Sequence, residues 1–132
     1  MGTGRPELDA LIHDAADVLQ RAAAADSVSG ALPLLTEAQE HLTRAIDEAM
    51  AAAVLEEGTS LRQAGQLANL SENAVGPRLA RTSRLMPYAT PEGRVTRASV
   101  ERARYDAELG RPAPTPPQPA AAPLSFRRRR DT

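Results

Sequence analysis

The stretch SLRQAGQLANLSENAVGPRLAR, residues 60–81, constrains the fold more than any other part of the chain. Leu61, Ala64, Leu67 and Ala68 follow helical spacing before an interruption at Asn69–Ser71, and Leu70, Val75 and Leu79 follow it. Asn tolerates the left-handed backbone of a tight interhelical turn. Ser71 stands where a cap would accept a backbone N–H of the next helix, and Thr59 or Ser60 where one would open the first. Gly65 leaves room for a second helix to cross the first closely, with Leu70 tucked under the turn and Val75 and Leu79 burying one side. Gly76-Pro77 then falls inside the second helix, where an interior proline costs ~3 kcal/mol and the glycine ~1 more than alanine. Either the helix runs from residue 72 with a kink, Gly76 letting backbone approach phosphates, or it starts at Pro77, a favoured first position. The i, i+4 spacing of Val75 and Leu79 favours the kink.

Upstream, residues 6–25 carry Leu8, Leu11, Ile12, Ala15, Val18, Leu19 and Ala22 at helical spacing, with Pro6 and Glu7 suited to a first turn. Asp26 to Gly30 reads as a break. A second helix is expected from about Leu34 to Glu57, ended by Gly58, with Leu35, Ala38, Leu42, Ile46, Ala49, Met50, Ala53 and Val54 as its stripe. Downstream, LMPYATPEGRVT reads as a small hairpin around Pro-Glu-Gly. Thr96 is a good cap for a last helix over residues 97–109, closed by Gly110. The fold expected is mainly α: an acidic helical hairpin over 1–58, a helix-turn-helix with a small wing and a C-terminal helix over 59–110, and a disordered tail over 111–132. That tail holds six prolines between 112 and 123 and ends in Arg127, Arg128, Arg129 and Arg130.

Charge divides along the same line. Residues 1–59 carry three arginines against eleven acids, a balance of −8; residues 60–132 carry thirteen against six, a balance of +7. Such asymmetry points to a nucleic-acid-binding half. The 26 alanines and three aromatic residues, Tyr88, Tyr105 and Phe126, make a thin core, which favours an oligomer. With no cysteine and only His13 and His41, on separate helices, neither thiolate metal sites nor triad chemistry is expected; nor is any cofactor or enzymatic activity. No apolar run approaches the ~18 residues of a membrane span, and MGTGRPELDA lacks a signal peptide's apolar core, so a soluble cytoplasmic chain is expected.

SLRQAGQLANLSENAVGPRLAR resembles the helix-turn-helix of many bacterial regulators, in which a Leu-Arg pair opens the first helix. LMPYATPEGRVTRASVERARYD is similar to the wing and following helix of the MerR and excisionase group of winged helix-turn-helix proteins. The combined resemblance covers about residues 50–109, and small actinobacterial DNA-binding proteins, some nucleoid-associated, are the nearest type. It implies that the start of the second helix, at Ser71, Glu72, Asn73 and, one turn on, Gly76, faces base edges. Asn can bridge an adenine edge and Glu can accept from cytosine. Arg78, Arg81 and Arg84, three apart, would share a face toward guanine or phosphate, while Arg94 and Arg97 in or beside the wing would meet phosphates or the minor groove. The four-arginine tail reads as an unspecific phosphate contact that could fold back on the acidic helices when DNA is absent.

The expected function is therefore binding to double-stranded DNA, as a transcriptional regulator or nucleoid-associated factor, with the acidic hairpin forming a homodimer. The alternative is a protein-interaction adaptor whose working surface is that hairpin.

Overall fold

The computed structural model describes residues 4–114. Among them are five α-helices, α1 (Gly4–Ala23), α2 (Val28–Glu56), α3 (Leu61–Leu67), α4 (Glu72–Leu79) and α5 (Arg97–Glu108), one 3-10 turn at Met86–Tyr88, and no strand. No helix among these residues is long and apolar enough to cross a membrane.

The first two helices pack against each other as the hairpin expected from their stripes. α1 buries Leu8, Leu11, Ala15, Val18 and Ala22, and α2 answers with the small residues Ala38 and Ala45, which let the axes approach closely. Burying a leucine in this way contributes about 2 kcal/mol. The stripes are split, however: Ile12 and Leu19 of α1 and Leu35, Leu42 and Ile46 of α2 stay exposed. α2 also begins at Val28 rather than near Leu34, because Ser27 caps it. The Ser27 backbone is extended (φ −141°, ψ 160°) and its hydroxyl accepts the Gly30 N–H at 3.0 Å. What reads as a break is thus a helix start, with Pro33 riding inside the helix.

The second half of α2 supplies Met50, Ala51 and Val54 to a separate core. Ala64, Val75, Leu79, Leu85, Tyr88, Val95, Val100 and Ala103 complete it. Gly58 (φ 74°) lets the chain leave α2. α3 opens with a reciprocal cap in which the Ser60 hydroxyl accepts the Gln63 backbone N–H at 3.0 Å and the Gln63 side-chain Oε1 accepts the Ser60 backbone N–H at 3.1 Å. Asn69 takes the left-handed backbone (φ 60°), and the Leu70 N–H donates to the Gly65 carbonyl at 2.8 Å.

Gly65 is required by packing. A Cβ built there would lie 2.8 Å from Val75 Cγ2, and Val75 is only 2% exposed. Alanine in a helix ordinarily gains ~1 kcal/mol over glycine. Overpacking a closed core costs about 1–3 kcal/mol. Gly65→Ala is therefore expected to destabilise the chain despite its better propensity, read as a lower urea midpoint; an increase would mean that Val75 turns aside freely.

α4 runs from Glu72 through Pro77 to Leu79, so it starts at residue 72 and not at the proline. Ser71 occupies the cap position, but its side chain makes no capping hydrogen bond, contrary to expectation; only its backbone carbonyl engages, accepting the Ala74 N–H at 3.0 Å. The expected hairpin over 85–96 is also corrected. Its first arm is the 3-10 turn, and the Pro-Glu-Gly segment is a tight loop, closed by Thr90 N–H to Arg94 carbonyl at 2.7 Å and Gly93 N–H to Thr90 carbonyl at 2.8 Å. The run before that loop is only Leu85–Ala89, and Leu85 and Tyr88 are drawn into the core, which leaves no length for a ladder. Thr96 does cap α5, paired reciprocally with Ser99.

Candidate nucleic-acid interface

The short α4 is held on three sides, and what remains open defines the site. Val75, Gly76 and Leu79 are buried, while Ala74, Pro77 and Arg78 are partly covered. Ser71, Glu72 and Asn73, the cap and first turn, are exposed.

Gly76 does not face outward. Its carbonyl accepts the Val95 N–H at 3.0 Å, and a Cβ at this position would lie 3.1 Å from the Val95 carbonyl oxygen. The missing side chain lets the loop after Gly93 dock on α4, rather than letting backbone approach a phosphate. The Arg94 guanidinium lies over Gly76, with Nη2 3.3 Å from where that Cβ would be. Gly76 shares a helix face with Glu72 and Asn73 through their i+4 and i+3 spacing. The charge presented beside that first turn is therefore Arg94.

The triplet Arg78, Arg81 and Arg84 does not share a face, because α4 ends at Leu79 and the chain turns through residues 80–85. Arg78 points inward: its Nε lies 2.6 Å from Asp47 Oδ1 on α2, the side chains being 22% and 8% exposed. Arg84 is paired with Glu56 at 2.5 Å, both side chains about a quarter exposed (27% and 24%). Both arginines tie this half of the chain to α2. Arg81 alone of the three is exposed, and it has no ion pair among the described residues. Arg97 is exposed at the start of α5 and leans on Glu101 at 3.2 Å. The side chains there are 91% and 61% exposed, so the contact is a loose surface pair. Arg127, Arg128, Arg129 and Arg130 lie outside the described residues.

One exposed cation was missed. Arg62, in the first turn of α3, is exposed and without an ion pair among the described residues. The Leu61-Arg62 pair that opens the motif was the available signal. Other arginines serve the frame: Arg104 Nε donates to the Val54 carbonyl at 2.9 Å near the end of α2, and Arg102 sits over the Tyr88 ring, 5.7 Å from its centre. The Tyr88 hydroxyl donates to Asp106 at 2.8 Å. Burial, helped by that carboxylate, pushes the Tyr88 phenol up to about 12. On α2, burial raises Glu48 above the usual carboxylate range, with Glu7 and Asp47 adding repulsion and the Ser83 backbone opposing them.

Among the described residues no cluster of three or more His, Cys, Asp or Glu could hold a metal ion. His13 Nδ1 donates to the Asp9 carbonyl at 2.7 Å, and His41 Nε2 lies 3.7 Å from Glu37, contacts within their own helices. The site can thus offer an acceptor (Glu72), an amide (Asn73) and separated cations (Arg62, Arg81, Arg94 and Arg97), a set suited to hydrogen bonding and to neutralising phosphates.

Comparisons with protein-family models, with curated proteins and with solved structures gave no match to this chain.

Proposed function

We propose that the protein binds double-stranded DNA through α3 and α4 as a helix-turn-helix, with the first turn of α4 entering the major groove, and that it acts as a homodimer held by the α1–α2 hairpin. The observation that carries the reading is the way α4 is exposed. Only Ser71, Glu72 and Asn73 of its cap and helix are exposed, and Arg94 lies beside them over Gly76. Helix-turn-helix proteins present the N-terminal residues of the second helix to base edges in the same manner, while the first helix crosses the backbone. Asn73 is suited to an adenine edge and Glu72 to a cytosine amine. Arg62, Arg81, Arg94 and Arg97 are suited to phosphates, and the docked loop at residues 90–94 takes the place of a wing. The role is that of a transcriptional regulator or a nucleoid-associated factor.

The test is binding of the full chain to labelled random duplex DNA, followed by fluorescence anisotropy across a salt series. Four phosphate contacts give a log–log slope of about −3.6, and more if the tail takes part. A flat salt response, or no binding at low salt, rejects the DNA reading and favours the hairpin as an adaptor for another protein.

A further inference from the structure

The outer face of the hairpin is apolar and open. Ile12, Leu19, Leu32, Leu35, Leu42 and Ile46 are 41–55% exposed. On α2 the order Leu32, Leu35, Gln39, Leu42, Ile46 alternates steps of three and four, the spacing of a coiled-coil seam. The stripe continues past Ile46 into an apolar groove of about 330 Å³ lined by Ala49, Ala53 and the exposed Leu67 of α3. Beside it, at the positions following Val28, Leu35 and Leu42, stand Ser29, Thr36 and Thr43, where a seam selecting a charged partner would carry charges.

The stripe is close to palindromic about Gln39. Leu32 and Ile46 lie seven residues to either side, and Leu35 and Leu42 lie four and three. That symmetry is what an antiparallel pair of identical helices requires, since in a two-fold interface residue i meets j and j meets i. We propose that two copies pair through this face with their α2 helices antiparallel and the two-fold axis at Gln39. Leu32 then packs on Ile46 of the second copy, and Leu35 on Leu42 of the second copy. Gln39 meets its own counterpart, where an amide both donates and accepts, and a single polar residue in an apolar seam sets the register. Ile12 and Leu19 widen the contact into a four-helix bundle. The stripe from Leu32 to Ile46 is ~21 Å long and two helices (~20 Å) wide, roughly 420 Å² per copy, and reaches roughly 600 Å² with the run on to Ala53 beside the groove. With the groove covered, the pair buries about 1,200 Å², the lower end of the range of stable interfaces.

The pairing has a consequence that rests on the DNA reading. α4 packs on α2 between Asp47 and Val54, a point about 12 residues, or ~18 Å, beyond Gln39. The two α4 helices then sit ~36 Å apart along the bundle, matching the ~34–36 Å between successive major-groove faces on one side of a duplex.

The chain has no cysteine, so the pairing can be read directly by cross-linking. Leu32→Cys and Ile46→Cys are prepared separately in the full chain and treated with a short bis-maleimide, without DNA. Cross-linked dimer is expected when the two variants are mixed and not from either alone. Efficient cross-linking of either variant by itself indicates parallel helices and overturns the proposal. So does a parent chain that sediments as a monomer at tens of micromolar. Leu35→Asp with Leu42→Asp, both at exposed positions, should give a monomer of unchanged helicity; a persistent dimer overturns the assigned face. Duplexes carrying inverted half-sites ~10 base pairs apart should bind at least tenfold more tightly than those ~15 apart. Equal binding with the cross-link intact leaves the pairing standing and rejects the spacing. Absence of DNA binding with the cross-link intact rejects only the DNA reading.

Discussion

Arg78→Ala is expected to cost about 3 kcal/mol of folding stability, and to weaken DNA binding only to the extent that the chain unfolds. The Asp47 carboxylate beneath Arg78 is 8% exposed, and its guanidinium partner at 2.6 Å is the only counter-charge the described residues give it. Removing the arginine leaves a buried charge unpaired, the costly half of any buried ion pair. Removing both charges is much milder, so Asp47→Leu with Arg78→Met should recover most of the loss. Urea unfolding followed by circular dichroism measures all three chains. If Arg78→Ala is as stable as the parent yet loses DNA affinity under native conditions, Arg78 faces the duplex and the orientation of α4 described above is wrong.

The complementary result is expected from Arg81→Ala combined with Arg94→Ala. Both side chains are exposed and without ion pairs among the described residues, so their loss should change stability by less than ~0.5 kcal/mol. If each contacts a phosphate, their removal should flatten the log–log salt plot by about two and lower affinity roughly tenfold per arginine near 0.1 M salt. Sequence preference should be untouched. Asn73→Ala should behave in the opposite way, costing ~1–3 kcal/mol on the preferred site and relaxing the choice at one base pair. Anisotropy titrations against one preferred and one random duplex separate the cases. Unchanged affinity in the double arginine variant would remove this surface from the duplex.

Much of the local architecture is written in short-range chemistry. Gly58 at the end of α2, the Ser60 cap, the left-handed Asn69, the close crossing at Gly65 and the Thr96 cap all depend on residues within a few positions of each other or on one side-chain volume. Such features can be read from a linear string, because propensity and capping act locally. Where the linear reading of the elements failed, a second signal overrode the punctuation. Asp26 to Gly30 looks like a break, yet Ser27 makes it a cap; Leu85–Thr96 has hairpin punctuation, yet burial of Leu85 and Tyr88 turns its first arm into a 3-10 turn. The site residues depended on something else. Whether an arginine meets solvent or a carboxylate was decided by partners 31 positions away for Arg78 and 28 for Arg84, and Gly76 was claimed by a loop that returns from residue 95. Charge asymmetry and spacing told that cations gather in the second half of the chain. Only the packing of α4 on α2 separated the arginines that hold the fold from those left open to a ligand, because an ion pair forms wherever the backbone brings opposite charges within reach, however far apart they lie in sequence.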